Sequence, residues 1–174
     1  MTPEFSRVVE AETVSETARR IEIGADETER RRLAGRFRLR GIERLSAVVT
    51  VQRRAGIIHA EGEVDAAVVQ ACVVTDEPLS AKVRTPFHVR YVPDALGGSG
   101  EEETELSAED CDTLPLDEGR IDVGEVAAET LALALDPYPR SPQADAVMRE
   151  REIGLSEDAG PFAALKALKD RLGE

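Results

Sequence analysis

The stretch Leu116–Pro142, LDEGRIDVGEVAAETLALALDPYPRSP, constrains this chain more than any other. It specifies a helix from both ends. Asp122 is placed to serve as N-cap, and Glu125 stands three residues on, the spacing of a capping box. Ile121 and Val126 flank the cap at the spacing of a hydrophobic staple. Val123, Val126, Ala127, Leu131, Ala134 and Leu135 recur at helical intervals and give one broad apolar face, which Leu133 widens. Pro137 ends the helix, because it disfavours helical dihedrals at Asp136 and carries no N–H. Pro139 and Pro142 then hold the exit extended. A simple linker needs neither the Tyr138 nor the Arg140 found among these prolines. Asp136, Pro137, Tyr138, Pro139 and Arg140 are therefore a candidate partner-binding segment.

A helix with such a face needs something apolar to cover, and the strand patterns supply it. Leu79–Val92 alternates cleanly: Leu79, Ala81, Val83, Phe87, Val89 and Tyr91 point one way, and Ser80, Lys82, Arg84, His88 and Arg90 the other. Pro86 within this run argues for an edge or a bulge, and basic side chains on an edge protect it against aggregation. Leu45–Val51 and Ile57–Val64 read as a hairpin turning through Arg53–Gly56. Asp65–Val74 is rich in Ala and Val and is read as a further strand. Short strands are expected over Glu4–Glu10 and Ala18–Ile23, and Cys111–Leu116 is expected to return to the sheet. The expected fold is α+β: a mostly antiparallel sheet, open or barrel-like, packed against the helix at about 122–135, with short helices near both termini. Residues 1–142 would form one domain.

Composition narrows the function. Aromatic residues make up 3% of the chain and Trp is absent, so stacking platforms for single-stranded nucleic acid are not available in number. The two cysteines, Cys72 and Cys111, fit free thiols in a reducing compartment. MTPEFSRVVEAE has no apolar core of a secretory signal, and no run is long enough to span a bilayer. A cytoplasmic protein is expected, with no membrane and no DNA partner. The net charge is −13, and residues 91–140 hold 14 acids against 2 basic residues. Such a surface suits a basic partner and is a poor nucleic-acid binder as a whole.

Asp26 and Glu29 form a second capping box, opening a helix over Glu27–Ala34 that Gly35 would stop. Arg30, Arg31, Arg32, Arg36 and Arg38 cluster here, and guanidinium forks fit phosphate. They are candidate RNA contacts, but Glu27 and Glu29 dilute the field, and an ordinary solvated face takes precedence. Asp94–Asp112 is Gly/Ser-rich and then acidic, and is expected to be a flexible loop. Residues 143–174 read as a polar tail ending in a short amphipathic helix, Pro161–Leu172. Its stripe is Phe162, Leu165, Leu168 and Leu172, and it would dock on its own domain or in a partner's groove.

His59 is expected to be a surface or edge residue, with no nucleophile or second His near it in sequence. A four-ligand zinc set would need Cys72, Cys111, His59 and His88, and none lies at close ligand spacing. Cys72 is read first as a small buried apolar residue. No Ca²⁺ loop, phosphate-binding loop or dinucleotide fingerprint is found. No metal or cofactor is expected.

IDVGEVAAETLALALDPYPRSP resembles the signature of the bacterial YceD family, the large ribosomal RNA subunit accumulation proteins. Three further pieces agree in order: Gln70–Thr75 followed by Glu77-Pro78, the strand ending Tyr91-Val92-Pro93, and Pro161–Leu165. Many members carry C-x-x-C at Cys72. Thr75 stands here in place of the second Cys, so a metal or redox role of that pair is not carried over. The resemblance implies a non-enzymatic role in accumulation, processing or stability of 23S rRNA. The expected partner is a basic ribosomal protein or assembly factor, with direct contact to 23S rRNA second. Two alternatives belong to other classes. One is a metal-dependent RNA-processing enzyme using carboxylates such as Asp122, Glu125 and Asp136. The other is a small-ligand or metal-binding regulator built on the sheet.

Overall fold

A computed structural model describes residues 3–93, 112–116 and 118–150. In chain order the elements are β1 (Val8–Glu10), β2 (Arg19–Gly24), α1 (Glu27–Arg36), β3 (Gly41–Arg54), β4 (Ile57–Ala71), β5 (Pro78–Val92), β6 (Asp112–Pro115), β7 (Arg120–Asp122), α2 (Val123–Ala134) and α3 (Ala144–Glu150). The fold is α+β. Five strands form an open sheet in the order β2-β3-β4-β5-β6, antiparallel except that β6 runs parallel to β5. β1 and β7 form a separate two-stranded ribbon. The sheet does not close into a barrel.

Alternation decides which face is core. Ile58, Ala60, Val64, Ala66 and Val68 of β4 are buried, as are Leu45, Ala47, Val49 and Val51 of β3 and Val89 and Tyr91 of β5. The intervening residues form a charged outer face, where Arg44 pairs with Asp65, Arg54 with Glu61 and Arg84 with Glu63 across strands. Leu131, Val123, Ala127 and Ala128 of α2 and Leu33 of α1 join the apolar face in one core with Phe5 and Ile121. Fully burying one such aliphatic side chain contributes about 1.5–3 kcal/mol, so this shared face is what holds α2 to the sheet.

Several boundaries differ from those expected. Ile57–Val64 and Asp65–Val74 are one continuous 15-residue strand through Ala71. Its small and charged residues blur the hydrophobic run without breaking the alternation. β3 runs through Arg54, and only Ala55 and Gly56 turn, both at positive φ as a two-residue hairpin requires. Only Val8–Glu10 of the N-terminal stretch is strand. Gly35 does not stop α1, which continues to Arg36; Arg38 takes the left-handed backbone instead. Among the described residues, Pro86 lies where β5 pairs only with β4, so the edge reading holds.

Asp26 and Glu29 make the expected reciprocal capping box. Asp122 caps α2 by accepting from the N–H groups of Gly124 and Glu125. The Glu125 carboxylate does not return to the cap; it pairs with Arg36 at 2.7 Å. A charged fork from another helix has won it from the local bond. Leu133 is 85% exposed and Ala134 is exposed, so the apolar face of α2 is narrower than the sequence pattern implies. The stretch read as polar tail holds α3, whose Ala144 is buried.

Candidate docking surface at the exit of the central helix

The end of α2 is built into the end of the sheet. Leu135 leaves the helix with φ −69° and ψ 145°, the extended geometry that a residue two before Pro137 can hold easily. Asp136 then folds back on itself, its carboxylate accepting from the Tyr138 N–H at 2.9 Å. Two groups at and just beyond the far end of β4 take up the backbone of this turn. Gln70, only 8% exposed, donates its side-chain amide to the Asp136 carbonyl at 2.8 Å. The Val73 N–H donates to the Pro139 carbonyl at 2.9 Å. Prolines leave few donors here, so the strap is made by carbonyls that accept.

Ser141 completes it. Its N–H donates to the Cys72 sulfur at 3.2 Å, and its hydroxyl lies 3.3 Å from that of Thr75. Thr75 also donates its N–H to the Cys72 sulfur and its hydroxyl to Glu77. Cys72 is buried, as the plainer reading expected, but it is more than filler. Burial alone would raise its thiol pKa; the Thr75 hydroxyl and the N–H groups of Ser141, Thr75 and Val74 outweigh that and bring it down to about 6. Hydrogen bonds from Ser141 and Thr75 likewise hold the Glu77 carboxyl low. Thr75, which stands where the resemblance implies a second Cys, thus bonds Cys72.

With its backbone fixed, this segment turns its side chains outward. Tyr138 is 73% exposed, and among the described residues the ion-pair partner of Arg140 is Asp145 at 3.9 Å. Beside them lies a groove of about 530 Å³, lined by Phe37, Arg38, Leu39, Gln70, Val73, Leu135, Asp136, Pro137 and Pro139. Val73 is 53% exposed at its edge.

The structure therefore places one of the candidate RNA arginines, Arg38, on the same groove as Asp136, Pro137 and Pro139 of the candidate partner-binding segment. The other arginines do not line the groove, and three of them are engaged elsewhere. Arg36 bridges Glu4 and Glu125, Arg31 pairs with Glu27, and Arg30 donates to the Ala25 carbonyl. Arg32 is exposed on α1. Of the acidic section, Glu118, Asp122, Glu125 and Glu129 line a second groove of about 380 Å³ against β6 and β7. The rest of that section to residue 111, and Phe162, Leu165 and Leu168 of the C-terminal helix, lie outside the described residues.

The four-ligand zinc set is not assembled. His59 and Cys72 are separated by most of β4, roughly 40 Å at about 3.3 Å per residue. His59 is not alone, however: the strand register brings His88 against it, with Nδ1 of His59 and Nε2 of His88 3.2 Å apart. That pairing spans 29 residues and needed the β4–β5 register to be seen. Gln70 and Val73 were also missed as site residues. Their signal lay in the QACVVT…EP piece of the resemblance, which carries no role by itself.

Fold and surface together define a sheet-and-helix scaffold that presents a rigid turn beside a groove. Comparison with curated proteins and with solved structures gives no match. The family model described as "Large ribosomal RNA subunit accumulation protein YceD" matches residues 60–169, and the chain belongs to that family. The match runs from Ala60 in β4 through α3, and so takes in both sides of the strap. The family's description gives it a role in accumulation of the large-subunit ribosomal RNA. No helix among the described residues is long and apolar enough to cross a membrane.

Proposed function

We propose that this chain is a non-enzymatic cytoplasmic factor in large ribosomal subunit biogenesis, supporting accumulation, processing or stability of 23S rRNA by binding a basic ribosomal protein or assembly factor. Asp136–Arg140 is the docking segment in this reading. The observation that carries it is the exposed Tyr138 on a backbone already fixed by Gln70, Val73 and Cys72. A turn ordered in advance loses little conformational entropy on binding, and exposed Tyr and Arg are favoured anchors of interfaces. The 14 acids of residues 91–140 complement a basic partner and speed its approach. Direct 23S rRNA contact ranks second, because Arg30, Arg31 and Arg36 are held within the chain by intramolecular bonds.

The test is an affinity pull-down of wild-type protein beside Tyr138→Ala/Arg140→Ala, reading bound protein and RNA. The expected result is a large-subunit protein or assembly factor that resists nuclease treatment and is lost in the variant. A pull-down that nuclease treatment empties would mean that the chain holds rRNA itself.

A further inference from the structure

We propose that His59, Glu61 and His88 form a binding site for a zinc-class divalent ion on the outer face of the sheet. His59 and Glu61 are two residues apart on β4 and share that face, and β5 sets His88 directly opposite Glu61. The neighbouring pair fixes the pairing. Gly62 stands opposite Phe87, and a β-carbon at position 62 would lie 2.7 Å from the Phe87 ring and 2.4 Å from the Val48 carbonyl oxygen. A slip of one residue would turn His88 to the other face of the sheet.

The distances match a coordination shell. One donor atom from each of the three residues lies within 4.8 Å of the other two. His88 Nε2 is 3.2 Å from His59 Nδ1 and 3.4 Å from Glu61 Oε1. In a tetrahedral zinc site with bonds of about 2.1 Å, donor atoms stand about 3.4 Å apart. Two imidazoles and a carboxylate suit zinc among the divalent ions, and they supply three of its four ligands from the described residues. A hydrogen-bonded imidazole pair would need only two of these residues. Arg54 donates to Glu61 Oε1 at 3.1 Å and competes with a cation there.

The test titrates the chelator-stripped full chain with Zn²⁺ by calorimetry and metal analysis. Wild type is expected to take up one ion, and His59→Ala/His88→Ala to bind at least about 100-fold more weakly, since losing even an outer partner of a ligand costs roughly 10–100-fold. Arg54→Gln supplies and removes no ligand, and is expected to tighten binding severalfold. No stoichiometric uptake by wild type overturns the proposal. So does equal affinity in the double variant, or an affinity unchanged in Arg54→Gln.

Discussion

Gly124 sits in the first turn of α2, where helix propensity and packing make opposite predictions for Gly124→Ala. By propensity alone, Ala in a helix is favoured over Gly by about 0.8–1.0 kcal/mol. The structure opposes this. A β-carbon at position 124 would stand 2.7 Å from the Phe5 carbonyl oxygen, 2.8 Å from the Arg7 nitrogen and 3.0 Å from the Ser6 carbonyl carbon. All three are backbone atoms, and none can swing away. The segment that carries them is fixed by the Val123 N–H on the Arg7 carbonyl, the Arg7 N–H on the Asp122 carboxylate at 2.7 Å, and the β1–β7 ribbon. Relief would move it by about 0.7 Å, which would break the tightest of these bonds. Overpacking of this kind costs typically 1–3 kcal/mol, and rigid backbone on all sides places it near the upper value. Against a gain of at most about 1 kcal/mol, the net loss is about 2 kcal/mol. At roughly 2–4 °C per kcal/mol for a chain of this size, Tm falls by about 4–8 °C. Thermal unfolding followed by circular dichroism, with urea denaturation beside it, reads this directly. An unchanged or raised Tm would refute the packing argument and restore the simple propensity rule.

Gln70→Leu keeps the volume but removes the donor to the Asp136 carbonyl, so stability falls by about 0.5–1.5 kcal/mol. Hydrogen exchange at the Val73 and Ser141 amides then quickens, and unchanged exchange would show that Gln70 does not hold the strap. The depressed thiol of Cys72 gives a pH signature with a fixed sign. Its folded-state thiolate contributes stability that is fully present above the ordinary thiol value of about 8.5 and is lost as pH falls to about 6. The stability difference between wild type and Cys72→Ser therefore widens in favour of wild type from pH 6 to pH 9. Urea titrations across that range would show it, and a flat or reversed difference contradicts it.

How much could be read in advance follows from how local each signal is. The α2 helix, its cap at Asp122 and its stop before Pro137 were legible because caps and prolines act within a few residues. The alternation of β5 was legible for the same reason. Leu133 was misplaced because periodicity gives a face without saying how wide the neighbouring sheet is. Glu125 was misread because its partner, Arg36, is 89 positions away and competes with the local bond. The single length of β4 was hidden by Glu61, Glu63 and Asp65, which look like a break but sit on the solvent face. The segment Asp136–Arg140 was legible as an oddity, a Tyr and an Arg among prolines. What fixes it was not: Gln70 and Cys72 reach it only because β4 and α2 end together. The His59–His88 contact likewise exists only through sheet register.

We propose that a basic protein partner docks at Asp136–Arg140. The most direct measurement places a photo-crosslinking amino acid at Tyr138 in living cells and identifies what it captures on irradiation. The expected capture is a basic large-subunit ribosomal protein or assembly factor, from position 138 and not from a control position such as Lys82 on the outer face of the sheet. Cross-linking to rRNA at position 138, or no capture specific to that position, would contradict it.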